Sequence, residues 1–220
     1  AADLRADAAA AAAGEISRTG GRAVPYTVDV TDPAGVDTML AFVQAEVGEP
    51  SVLVNNVGYV QPYDPSNSIL TMSKGDWDHI LATNLTSVYL CTRAVAPVLV
   101  ANGGGSIINI ASNIGRLLDI VTGSHYAAAK AGVLHFTRHV ARELAGHGVR
   151  VNAVSPGVTA TPRALAAIGP EVHEQIIART PMQRLAEPAE IVGAALFLAS
   201  SDATYITGAT IDVAGGRVMV

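Results

Sequence analysis

The chain predicts an α/β fold, a doubly wound parallel sheet in a three-layer α/β/α arrangement, and three observations carry that expectation. Short β-branched runs alternate with longer helical stretches along the whole chain. The runs beginning at Ser51, Ser106 and Val149 are continuously apolar instead of alternating, as strands covered by helices on both faces are. Proline, capping and glycine signals mark where one kind of element gives way to the other. Strand and helix in strict alternation imply crossover connections and a parallel sheet.

Taken in order, Ala23 to Val30 reads as a strand and Ala34 to Val47 as a helix, opened by Asp32-Pro33 and closed by Gly48. Ser51 to Asn55 is the next strand. Ser73 to Ala101 is a long helix, with Ser73 and Asp76 in a capping-box pattern. The strand Ser106 to Ala111 precedes a helix from His125 to Ala145 that Gly146 ends. Val149 to Val154 is another strand, Glu190 to Ala199 a helix that Glu187-Pro188 opens, and Thr210 to Val213 the last strand.

Half of the 220 residues are hydrophobic, enough for one sizeable core and too few for two large domains, so residues 1–220 are expected to form a single domain. A net charge of −5 without basic clusters argues against a nucleic-acid partner. No run reaches the roughly 18 consecutive apolar residues of a membrane span, and no signal-peptide layout opens the chain. A cytoplasmic protein without a membrane partner is expected. The single cysteine, Cys91, lies in an apolar helical pattern and is expected to be buried and structural.

A sheet of this kind binds ligands at the carboxyl ends of its strands. Those positions hold Asp29, Asn55 to Gly58, Ser112, and Ser155 to Gly157, all polar, glycine or turn-forming stretches. Tyr126 and Lys130 stand four apart and so share one helix face. An ammonium about 4 Å from a phenolate at an effective dielectric near 20 interacts by about 4 kcal/mol, or about three pKa units. That shift is expected to bring Tyr126 into proton exchange near neutral pH. The chain has two lysines and twelve arginines, so a lysine here departs from its own habit. Asn84, inside an apolar helix, is a poor helix former that must find partners if buried. His135 and His139 have metal-ligand spacing but no glutamate partner and face away from Tyr126, so no metal is expected.

Asn55-Asn56-Val57-Gly58, Ser112, Tyr126-Ala-Ala-Ala-Lys130 and Ser155-Pro156-Gly157 occur in the order and spacing of the short-chain dehydrogenase/reductases, which the chain resembles over essentially its whole length. The resemblance implies a Rossmann fold and hydride transfer between a nicotinamide cofactor and a carbonyl or secondary alcohol. It implies Tyr126 as general acid/base, Lys130 as its partner and a ribose contact, Ser112 as donor to the substrate oxygen, and Asn84 as anchor of a water relay to the lysine. Cofactor contacts are implied for Asp29 and Val30 at the adenine, Asn56 and Gly58 behind its ribose, Tyr126 and Lys130, and Pro156, Gly157, Thr159 and Thr161 at the carboxamide.

Ala1-Ala2-Asp3-Leu4-Arg5 looks like the end of the family's second strand, where the Asp3 carboxylate favours NAD over NADP; Arg5 could instead meet a phosphate. A homotetramer or homodimer built on the helices around Asn84 and Tyr126 is implied as well. The closing stretch from Tyr205-Ile206-Thr207-Gly208 to Met219-Val220 is similar to that of the 3-oxoacyl-[acyl-carrier-protein] reductases. The stretch between Gly58 and Trp77 is longer than theirs, which keeps sugar, polyol and other secondary alcohols open as substrates.

The family's glycine-rich phosphate loop has no counterpart, nor has the central strand before it. Roughly 35 residues upstream of Ala1 are expected from where a βαβ unit places its ribose-binding acid. Without that strand two sheet edges should be exposed, and such a fold should aggregate. Val57 and Ala214 are smaller departures. The rival reading is a non-catalytic scaffold of this fold that has lost cofactor binding; the intact set Asn84, Ser112, Tyr126 and Lys130 argues against it. Nucleotide-sugar epimerases of the wider group carry a larger C-terminal domain than this sequence allows.

Overall fold

A computed structural model describes residues 1–60, 68–118 and 122–219. The elements run β1 (Ala2–Asp3), α1 (Ala6–Arg18), β2 (Tyr26–Thr27), α2 (Pro33–Glu46), β3 (Val52–Asn55), α3 (Lys74–Leu81), α4 (Ser87–Ala101), β4 (Gly105–Ile110), α5 (Ser124–Leu144), β5 (Val149–Pro156), α6 (Pro162–Ala167), α7 (Pro170–Ala178), α8 (Pro188–Ala199) and β6 (Thr210–Val213). The longer stretch noted between Gly58 and Trp77 lies partly outside the described residues.

Local signals act where the sequence places them. The Asp32 carboxylate accepts the amides of Ala34 and Gly35 and opens α2, with Pro33 in its first turn. Ser73 accepts the Asp76 amide and donates to its carboxylate at 2.6 Å. Glu187 and Glu190 close a reciprocal capping box on α8. After α5 the left-handed residue is Gly148 (φ 76°), and Gly146 lies inside the short 3-10 turn Ala145–His147 that carries the chain to it.

Four strands form a parallel sheet in the order β3-β4-β5-β6. Its centre is dry: Ile107, Ile108, Val149, Val151 and Val154 are fully buried. One face packs on α4 and α5, through Val95, Leu99 and Val140. The other packs on α8, where Leu198 meets Ile108 and Val154. Covering on both faces explains the continuous apolar runs of β4 and β5. Polar side chains in this interior are paired: Asn55 donates to Thr92 and to its register partner Asn109, and Asn109 donates to Thr137. These bonds tie β3, β4, α4 and α5 together beneath the carboxyl end of the sheet.

The remaining strands, β1 and β2, form a separate two-stranded parallel sheet. The expected strand Ala23 to Val30 shrinks to Tyr26–Thr27, because β1 offers only two residues to pair with. Val28 and Val30 are still buried, against Val36, Leu90 and Cys91. Cys91 is a core residue, as expected.

Strands β1 and β3 border one cavity of about 1070 Å³ and are not paired to each other across it. Among the described residues β1 pairs only with β2, and β3 only with β4. One consequence runs against the apolar pattern of β3: Val52 and Val54 are 40% and 48% exposed, because that flank opens to the cavity and not to a neighbouring strand.

Helices α1, α6 and α7 were not anticipated. The stretch Lys74–Ala101 is one 28-residue helix, long and apolar enough by composition to cross a membrane. In the fold it is a core helix, packed on α2, α5 and the strands β3, β4 and β5.

Candidate active site

Between α3 and α4 the helix widens into a π turn, Ala82–Thr86, with Asn84 at its centre and fully buried. The Asn84 amide donates to the Ile80 carbonyl at 2.9 Å and to the Tyr59 carbonyl at 2.8 Å, and its oxygen accepts the Tyr59 amide at 3.1 Å. The side chain acts as a strand partner for the backbone at Tyr59, which satisfies a group that would otherwise be costly to bury. Gly58 lies against the same amide. A Cβ at position 58 would stand 3.1 Å from the Asn84 oxygen and 3.5 Å from Lys130 Nζ, so a side chain here would make the Asn84 amide give way by a few tenths of an ångström. The sequence motif after β3 and two residues from distant helices therefore meet at one point.

Tyr126 and Lys130 occupy the first two turns of α5. Lys130 is buried; its ammonium donates to the Ile110 carbonyl at the end of β4 at 2.9 Å and stands 5.8 Å from the centre of the Tyr126 ring. Burial pushes the Lys130 ammonium down to about 8. Burial also raises the Tyr126 phenol above its ordinary value, and the neighbouring Ser112 hydroxyl opposes that rise. The lowering of Tyr126 expected from helix spacing is not what prevails here. Desolvation of both groups outweighs the attraction between them, and the ammonium is turned to a backbone carbonyl.

Ser112 follows β4 and starts the 3-10 turn Asn113–Gly115, accepting the Ile114 amide at 3.3 Å. Arg116 ends that turn and forms a largely buried ion pair with Asp212 of β6 at 2.5 Å. His125, fully buried beside the tyrosine, accepts the Tyr126 amide at 3.0 Å.

Asp3, Asp29, Val30, Asn56 and Gly58 all line the cavity between β1 and β3. The Asp3 carboxylate accepts the Arg5 amide at 2.9 Å. The Thr31 hydroxyl and amide hold the Asp29 carboxyl below its ordinary value. Pro156, Gly157, Thr159 and Thr161 do not line this cavity. Pro156 ends β5 and the other three follow it, where Gly157 borders a second cavity of about 280 Å³ with Thr180, Met182 and Asp212. The backbone around Thr159 is held to Ala186, and the Thr161 hydroxyl accepts the Ala164 amide to begin α6.

Among the cavity residues that the sequence does not single out are Tyr59, His79 and Arg163. The Tyr59 ring meets His79 edge-on at 5.6 Å, and the Arg163 guanidinium lies over it at 5.3 Å. Adjacency to Gly58 was the available signal for Tyr59. Arg163 belongs to an unanticipated helix and gave none. His135 and His139 stand with ring centroids 4.8 Å apart, tilted by 60°, on an exposed side of α5, and no cluster of three or more metal-ligating side chains occurs among the described residues.

A family model described as enoyl-(acyl carrier protein) reductase matches residues 1–217. The chain is 40% identical over 202 residues to (3R)-3-hydroxyacyl-CoA dehydrogenase of Canis lupus familiaris, covering 91% of this chain and 76% of that protein. It is 39% identical over 193 residues to 3-oxoacyl-[acyl-carrier-protein] reductase of Salmonella typhimurium strain LT2, covering 88% and 77%. Among solved structures, the 3-oxoacyl-[acyl-carrier protein] reductase of Brucella melitensis with bound NAD is 34% identical and superposes with a TM-score of 0.89 over all of this chain and 80% of that one. The chain belongs to the short-chain dehydrogenase/reductase family, with its likeness to the 3-oxoacyl-[acyl-carrier-protein] reductases, and is an oxidoreductase that acts at CH–OH and carbonyl groups.

Proposed function

We propose that residues 1–220 form one Rossmann-type domain that interconverts a carbonyl and a secondary alcohol with NAD as preferred cofactor and Tyr126 as proton donor and acceptor. The observation that carries this reading is the meeting of Gly58, Asn84 and Lys130 beside Tyr126, at the carboxyl ends of β3 and β4. The cavity fits a dinucleotide's requirements: a backbone bare of side chain at Gly58 and a carboxylate, Asp3, at a strand end to accept ribose hydroxyls. A bound nicotinamide cofactor would supply or take up the hydride.

The protein's own groups handle the proton. Ser112 donates to the substrate oxygen and opposes the charge that grows there. Tyr126, its phenol held above the ordinary value, is protonated at neutral pH and delivers its proton to that oxygen in the reductive direction. Lys130 stands behind it and stabilises the phenolate that results, with a second contact to the cofactor ribose. Asn84 anchors the Tyr59 backbone and flanks the ammonium. Val30 and Asp29 border the adenine end, Asn56 the ribose, and Pro156, Gly157, Thr159 and Thr161 the carboxamide. A homodimer or homotetramer through the outer faces of α4 and α5 is the proposed assembly, and the names of the relatives make 3-oxoacyl thioesters the first substrates to assay.

Titration calorimetry with NADH and NADPH tests the reading. Saturable binding, tighter for NADH, is expected, and Asp3→Asn should narrow the difference. A protein that binds neither nucleotide would sink it.

A further inference from the structure

We propose that Arg163 is an anion-recognition residue of the cleft, its guanidinium taking a phosphate or carboxylate group of the molecule that occupies the cavity between β1 and β3. This role rests on the NAD site proposed above and gives that site a specificity element.

Arg163 stands in the first turn of α6, the short helix that begins where the segment after β5 ends. None of the described side chains of α6 belongs to the clusters that form the core. Its described link across the cleft is the guanidinium itself, stacked on Tyr59 at 5.3 Å. Tyr59 is a fixed platform: Asn84 holds both its backbone amide and its carbonyl, and His79 packs on the ring edge. The stack therefore places a cation from one wall of the site against a ring anchored to the other.

A guanidinium lying over a ring uses its flat face and keeps its N–H edge for a second partner. No aspartate or glutamate forms an ion pair with Arg163 among the described residues. Arg163 lines the same cavity as Asp3, Asn56 and Gly58. Two parallel N–H groups match the oxygens of a phosphate or carboxylate, and the strength of such charge-assisted pairs exceeds that of neutral hydrogen bonds. Two sources offer that chemistry: the diphosphate of the cofactor, and an acidic group on the substrate.

The experiment compares wild type with Arg163→Met, which keeps the apolar stem, and Arg163→Lys, which keeps charge but loses the flat fork. Calorimetry is run with NADH, with inorganic pyrophosphate, and with acetoacetate against its neutral methyl ester on the NAD-loaded protein. If the anion is the diphosphate, Arg163→Met weakens NADH and pyrophosphate by about ten- to a hundredfold and leaves the acid-to-ester ratio unchanged. If it belongs to the substrate, NADH affinity holds and the preference for acid over ester falls by a similar factor; Lys should restore only part of either loss. Arg163→Met matching wild type for all four probes overturns the proposal, including the case in which wild type itself shows no preference for the acid. Failure of wild type to bind NADH removes the proposed NAD site instead, a result separable from any difference between the variants.

Discussion

The two sheets of this protein differ in how they are held and in what they carry. The four-stranded sheet has helices on both faces, and in its eight-residue β5 six side chains are buried. Every candidate proton-handling residue hangs from it: Ser112 after β4, Tyr126 and Lys130 on α5, Asn84 between α3 and α4. The two-stranded sheet has ladders of two residues, and α1 beside it buries only Ala9 and Ala13. It carries the candidate ribose and adenine contacts Asp3, Asp29 and Val30. On the proposed reading, proton chemistry rests on the sheet covered on both faces and cofactor selectivity on the sheet with two-residue ladders, with β3 and Gly58 at the border. Rigid support matters most where a proton must move over a fixed short distance, and less where a ligand itself can order its site.

The largest expected effect tests that division directly. Tyr126→Phe should lower turnover by about 10³- to 10⁴-fold, the upper range for loss of a positioned acid, while NADH affinity stays within about threefold. Stopped-flow reduction assays and nucleotide titration measure the two. Loss of nucleotide binding along with turnover would break the separation between halves.

A second effect concerns the far edge of the stiff half. The Arg116–Asp212 pair is 19% and 17% exposed and bolts the Ser112 turn to β6. Removing one partner strands a mostly buried charge, so Arg116→Met should cost about 3 kcal/mol of unfolding free energy. Arg116→Met combined with Asp212→Leu should recover most of that loss in urea denaturation. A single variant as stable as wild type would show that the pair positions nothing.

Much of this division could be read before any coordinates. Helix starts at Asp32 and Ser73, the limits of β6, and α5 to within a residue follow from caps and apolar periodicity. What escaped depends on tertiary partners or weak contrast. The alanine run Ala8–Ala13 has no polar face to give it a period, although its propensity is the highest available. The length of β2 is set by its partner and not by its own residues. The site residues were legible as a set in chain order, but not their contacts. Asn84 spends its amide on Tyr59, a bond across 25 positions that no local pattern encodes. The direction of the Tyr126 shift failed for a related reason: helix spacing gives the distance to a cation but not the depth of burial.

Burial of Lys130 gives the third prediction, which sharpens the picture of a dry, rigid half. Its pKa falls from 10.5 to about 8, so between those values the native state binds fewer protons than the unfolded chain. Stability contributed at this site therefore rises with pH across that window, the penalty for a buried cation being present in full below about 8. The separation is worth about 3 kcal/mol at ~1.36 kcal/mol per pH unit. Between pH 7.5 and 9.5, wild type should gain about 2 kcal/mol relative to Lys130→Met in chemical denaturation, before the raised Tyr126 begins to act in the opposite sense above 10. A flat difference would mean that water reaches the ammonium and that the interior is less dry than its packing implies.

The smallest effect lies at the border. Val54, although in the middle of an apolar strand, is 48% exposed on the flank that opens to the cavity. If β3 is an edge, Val54→Lys removes little packing and should change stability by less than about 0.5 kcal/mol. The same lysine should reduce self-association, since charges on an open edge block the pairing of one molecule's edge with another's. Sedimentation at several protein concentrations gives the second readout alongside denaturation for the first. A cost of about 2 kcal/mol or more would place Val54 in a covered strand, as its sequence pattern suggests, and would move the border between the two halves away from β3.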